Sequence, residues 1–154
     1  MKNILLLLFV FASIHCFSQR RSFKNMTEKN GKIGIGTKTP DELLTVKGKI
    51  HTQEVLVDLN GAVAPDYVFE SYFLGSSEMN PQYTMLSLDE TATFIEKYRH
   101  LPGVPSAKEL ETDGLYLKEM NLLLLEKVEE LMLYTIEQQK EIDMLKEKVS
   151  KIED

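Results

Sequence analysis

Several residue types that carry chemistry are scarce in this chain. Its 154 residues include one Cys, Cys16, no Trp and three His, without HExxH, paired His or Cys–His spacing. A protein-held metal therefore lacks the usual donor set. Positive charge is also in short supply, with 18 Lys+Arg against 24 Asp+Glu and a net charge of −6. That balance excludes a broadly basic surface of the kind that neutralises nucleic-acid phosphates. No apolar run reaches the roughly 18 residues a membrane-spanning helix requires. Glycine and proline are missing altogether from Leu115 to Asp154. With the two strongest helix breakers gone, a long helix is predicted there. The length itself rules out a large barrel or several full-sized domains.

The amino terminus has its own pattern. MKNILLLLFVFASIHCFS places Lys2 before an apolar run from Ile4 to Ala12, with Cys16 and Ser18 at −3 and −1 of a cleavage point. This is the layout of a secretory signal peptide, so residues 1–18 are predicted to be removed. The exported chain would then carry 17 basic and 24 acidic side chains and no Cys. Without a disulfide, its stability must come from packing or association. The bulky His15 before Cys16 argues against a lipid-modified cysteine. The expected destination is secreted, cell-surface or periplasmic. Residues 19–29, with Arg20, Arg21 and Lys24, read as a flexible, solvated tail.

From Asn30 the text reads NGKIGIGTKTPDELLTVKGKI. Ile33 and Ile35 alternate with Gly34 and Gly36, then Leu44, Val46 and Ile50 follow, and Val55, Val57 and Leu59 continue the period of two up to Asn60-Gly61. Residues 30–60 are therefore predicted as short strands and tight turns, too few to form a stable sheet unaided. GKIGIGTKT lacks the G-K-[ST] ending of a phosphate loop, and no cofactor is expected. Residues 61–84 read as an irregular connector whose aromatics, Tyr67, Phe69, Tyr72 and Phe73, dock on a neighbouring surface, with PDYVFE extended; a glycan-binding platform is the alternative use of these rings. In residues 85–117 two capping boxes, Ser87 with Glu90 and Ser106 with Glu109, predict two short helices, separated by the rigid HLPGVP turn and ended by Gly114.

The clearest signal lies in residues 118–154. With Asn121, Val128, Thr135, Ile142 and Val149 at heptad position a, position d holds Leu117, Leu124, Leu131, Gln138, Leu145 and Ile152. Eight of these positions are aliphatic: Leu117, Leu124, Val128, Leu131, Ile142, Leu145, Val149 and Ile152. Such a repeat predicts a coiled coil and a partner made of identical chains. Thr135 and Gln138 form a polar layer that either interrupts the seam or sets its register. The first half carries further apolar residues off the seam, including Leu122, Leu123, Leu125, Met132, Leu133, Tyr134 and Ile136, so it should also pack against the short helices and PDYVFE. The many carboxylates of this helix read as solvated.

The run GKIGIGTKTPDELLTVKGKI resembles the IGIGT-x-x-P-x-x-x-L-x-V-x-G-x-I element of phage tail fibres and of short secreted tail-fibre-like bacterial proteins. PDYVFE, HLPGVPSAKE and GLYLKEMNLLLLEKVEELMLYTIEQ look like the C-terminal part of that group, similar in layout to the endosialidase-type intramolecular chaperone domain. The resemblance covers about residues 30–145. It implies an elongated α+β fold: a Gly-rich β stalk element, a small helical cap and a long coiled-coil helix in a parallel homotrimer, with a dimer as the lesser alternative. It also implies that the chain can belong to a longer fibre or surface assembly. Relatives of the chaperone type self-cleave through a Ser–Lys dyad. VLVDLNGAVAPDY contains neither Ser nor Lys, and Ser76 and Ser77 align only by stretching. The expectation is therefore a non-enzymatic structural module, with a self-cleaving chaperone or a glycan-binding module as alternatives.

Overall fold

The computed structural model describes residues 23–153. The signal segment, including His15 and Cys16, and the start of the tail lie outside the described residues. Among the described residues, no helix is long and apolar enough to cross a membrane. The chain divides into two units at Val55.

The first unit holds a three-stranded sheet of order β1-β2-β3, formed by Met26–Lys29, Lys32–Ile35 and Leu44–Val46. β1 and β2 form an antiparallel hairpin in which Met26 faces Ile35 and Lys29 faces Lys32. Asn30 and Gly31 turn it with φ of 54° and 76°. Two successive positive φ values match the twist of a hairpin, and Asn-Gly is the pair that tolerates them best. Residues predicted as tail thus supply the first strand. β2 and β3 run parallel, with Ile33 opposite Leu44 and Ile35 opposite Val46. The connection between them is pinned by Thr45, whose hydroxyl donates to Asp41 Oδ1 at 2.6 Å and accepts from the Asp41 and Glu42 amides at 3.2 and 3.1 Å. That bond holds the Asp41 carboxyl below its ordinary range. Gly36, at φ 75°, lies so close to β3's exit that a Cβ would sit 2.8 Å from the Lys47 carbonyl oxygen.

The predicted continuation of the strands through Val55, Val57 and Leu59 is not present. Residues 47–66 contain no strand, and these three side chains are exposed. Alternation supplies a strand-like face but no backbone partner, and an extended segment becomes a strand only when a neighbour accepts its hydrogen bonds. One face of the sheet presents Met26, Ile33, Ile35 and Leu44, all exposed.

The second unit contains α1 (Tyr67–Leu74), α2 (Leu88–Tyr98), α3 (Ala107–Asp113) and α4 (Leu117–Glu153). α1 replaces the extended PDYVFE of the sequence reading. Its aromatic content favours strand locally, but helical geometry turns Tyr67 and Val68 together onto Leu133 of α4, and that packing overrides propensity. Gly75 closes α1 at φ 84°. Both predicted capping boxes form: Ser87 with Glu90 opens α2 and Ser106 with Glu109 opens α3, while Gly114 ends α3. The core is small. Val68 and Leu133 are fully buried, Tyr67 and Tyr134 nearly so, and Phe69, Tyr72, Tyr83 and Met85 pack around them. α4 runs for 37 residues, about 55 Å at 1.5 Å per residue. Most of it extends beyond anything that core can cover.

Candidate functional site

α4 has two faces with different fates. On one, heptad positions b, c, f and g of the first half meet the rest of the unit: Leu122 and Leu123 are half-buried, as are Glu126, Lys127 and Glu130, while Glu129, Leu133 and Tyr134 are buried. On the opposite face lie positions a and d. All eight aliphatic seam residues, Leu117, Leu124, Val128, Leu131, Ile142, Leu145, Val149 and Ile152, are exposed, from 46% at Ile142 to 82% at Ile152. The chain covers one side of α4 and leaves the aliphatic a/d stripe on the other side bare. Leu125 and Met132, both at position e, are exposed too. The bare stripe is therefore a/d/e wide in the first half and narrows to a/d after residue 138.

The polar layer is placed within this stripe. The Thr135 hydroxyl donates to the Leu131 carbonyl at 2.8 Å, and Gln138 is exposed one turn further on. Position a of the first heptad, Asn121, likewise turns back on the Leu117 carbonyl at 2.7 Å. Beyond the layer, Glu141 and Lys146 flank the seam at positions g and e, and both are exposed.

The covered face holds a network that composition did not disclose. The Tyr67 hydroxyl donates to Glu126, and the Tyr83 hydroxyl to Glu130 at 2.9 Å. Lys127 bridges the two carboxylates, 2.7 Å from Glu126 and 2.9 Å from Glu130. Tyr134 donates to the Leu86 carbonyl at 2.5 Å, tying the segment before α2 onto the helix. Burial, followed by the Glu126 bond, pushes the Tyr67 hydroxyl up to about 12, and burial raises Tyr83 further still. The carboxylates at 126, 129 and 130 are thus not the solvated groups expected from the sequence. A signal was available: their i, i+4 spacing puts Glu126 and Glu130 on the face that also carries Leu133. Glu129 is the exception within the network. It is 7% exposed, and its buried Oε2 has no hydrogen-bond partner among the described residues.

Two other groups of candidates are separated by the fold. Of the aromatics offered as a glycan platform, Tyr67 and Phe69 pack in the core, and Phe73 alone is largely exposed, at 69%. Tyr72, half-buried, meets Phe73 edge to face at 4.9 Å, so the four rings do not form one platform. Ser77 is buried in the turn after α1, where its hydroxyl donates to Glu70 at 2.6 Å and accepts from the Met79 amide at 3.1 Å. Its partners are those of a turn-stabilising hydroxyl.

No protein-family model, curated protein or solved structure matches this chain.

Proposed function

We propose that this chain is an exported, non-enzymatic assembly module, tail-fibre-like in layout, whose C-terminal helix zips onto two identical copies in a parallel homotrimer. The bundle brings three chains into register and concentrates their N-terminal β elements, so that pairing between chains can complete sheets that one chain leaves open. The resemblance in residues 30–145 is the source of the trimer, and the signal-peptide layout of residues 1–18 is the source of the exported, surface or periplasmic setting.

The observation that carries the reading is the bare seam on α4, set opposite the face its own chain covers. Burying an aliphatic side chain contributes about 1.5–3 kcal/mol, so covering the exposed half of eight such residues recovers about 6–12 kcal/mol per chain. Because the cap of α1 and the segment before α2 sits on the outer positions, it does not obstruct a neighbour approaching along a and d. The a/d/e width in the first half suits more than two helices, since a third helix covers positions that a dimer leaves at its margin. Parallel alignment also sets Glu141 of one chain toward Lys146 of the next, an opposite-charge pair at g and e. Thr135 and Gln138 then converge as the one polar layer in the middle of the seam and fix its register. The open apolar sheet face of Met26, Ile33, Ile35 and Leu44 gives the first unit the same need for a partner.

The test is interchain cross-linking. Leu145→Cys in the protein with Cys16 replaced by Ser places thiols at one d layer. Oxidation is expected to give covalent dimers, since two of three thiols at an axis can pair. A monomer under oxidising conditions would contradict parallel, in-register assembly.

A further inference from the structure

The carboxylate of Glu129 is trapped between α4 and the start of α1 with nothing to neutralise it. Oε2 is out of contact with solvent and unpartnered among the described residues. The charged groups that face it have the same sign: Asp66, which opens α1, and Glu126, one turn earlier on α4. The cation of this stretch, Lys127, is engaged by Glu126 and Glu130. The hydroxyls that cross from the cap, Tyr67 and Tyr83, are given to those same two carboxylates. The two tyrosine hydroxyls and the lysine nearest to Glu129 are therefore engaged by its neighbours, Glu126 and Glu130. An ionised carboxylate with one oxygen dry and unpartnered among the described residues, beside two like charges, opposes the contact that buries it, whereas a neutral carboxyl in the same place opposes it less.

We propose that Glu129 makes the docking of α1 on α4 proton-controlled, a clamp that tightens when this carboxyl is neutral and loosens when it is ionised. The docking surface is small, with Tyr67 and Val68 against Leu133 as its centre, so one uncompensated charge is a large fraction of what holds it. The direction follows from linkage. Burial first, then Asp66 and Glu126, raise this carboxyl above its ordinary 4.5. The docked state thus binds a proton that the undocked state releases, and docking strengthens as pH falls through the raised value toward 4.5. Acidic surroundings close the cap. The device lies within one chain and does not depend on self-association.

The test is amide hydrogen exchange of α1 in the full-length protein, corrected for intrinsic rates, at steps from about pH 7.5 to about pH 4.5. In the parent protein the protection of the α1 amides is expected to rise on acidification. Glu129→Gln and Glu129→Leu are both expected to abolish that rise, and Glu129→Leu to give at neutral pH at least the protection the parent reaches in acid. Glu147→Gln, an exposed site on the same helix, is expected to leave the rise intact. A parent protein whose α1 protection is flat or falls on acidification overturns the proposal, as does a rise that survives in either Glu129 variant. Should both variants fail to fold, the parent profile alone decides.

Discussion

Replacing Leu145 by Ala removes a side chain that, in a single chain, does almost nothing. It is 59% exposed on an otherwise solvated stretch of α4, and Ala is the better helix former, so the cost to an isolated subunit is under about 0.5 kcal/mol. In the proposed bundle the same residue fills a d layer. Truncating a buried Leu to Ala there costs about 2–5 kcal/mol. At the low end, three chains lose about 6 kcal/mol together, about ten-thousandfold in the association constant. Leu133→Ala is the matching control, because Leu133 is fully buried inside one chain and its loss costs about 2–5 kcal/mol whether or not the chains meet. Thermal unfolding followed by circular dichroism at several protein concentrations separates the two. Leu145→Ala should lower the midpoint most at low concentration and shift the mass toward the single chain, since only association makes the midpoint depend on concentration. Leu133→Ala should expose the cap without a comparable change in mass. A Leu145→Ala protein with unchanged mass and midpoint would refute the reasoning about the seam.

Further outcomes follow from the local structure. Ser87→Ala and Ser106→Ala each remove a capping box and should weaken α2 or α3 by about 1 kcal/mol, read as faster exchange of the first-turn amides. The bonds from Ser87 and Ser106 hold the Glu90 and Glu109 carboxyls below their ordinary 4.5. Their contribution is therefore present above that value and lost as pH falls through the lowered one, which circular dichroism of the parent in strong acid should show. Gly36→Ala meets both a positive φ and the Lys47 carbonyl, so it should disrupt the pairing of β2 with β3, seen as lost protection of the Lys47 amide, which bonds the Ile35 carbonyl at 2.9 Å. Tyr67 should ionise near 12 rather than 10 in an ultraviolet titration. Because the folded state favours the protonated phenol, stability is retained below about 10 and lost as pH rises through about 12, and Tyr67→Phe should remove that loss.

How much of this could be read from the residues depended on whether the signal was local. The capping boxes at Ser87 and Ser106 and the stop at Gly114 involve residues within a few positions of each other, and all three formed as expected. The long helix was equally legible, because absence of Gly and Pro and a sustained heptad act along the chain without reference to anything else. The parallel pairing of β2 with β3 was not. It depends on Thr45 reaching back to Asp41, and nothing in a period of two distinguishes parallel from antiparallel neighbours. Val55, Val57 and Leu59 display the converse failure: a strand pattern without a partner strand among the described residues. PDYVFE has no local signal that marks it as helical, since Tyr, Val and Phe favour strands, and only the position of Leu133 on α4, 65 residues later than Val68, makes the helical arrangement the one that buries Tyr67 and Val68. Spacing puts the a and d residues on one stripe of α4, and they lie exposed there, whereas the burial of Glu126, Glu129 and Glu130 is invisible to spacing alone because it depends on α1, a distant element that covers them.

The central claim is that this chain completes itself with copies of itself. Its most direct measurement is the mass of the purified, soluble protein by multi-angle light scattering across a dilution series into the micromolar range. The account predicts three times the chain mass, falling only at high dilution. A monodisperse single chain throughout, with α4 still fully helical, would contradict it.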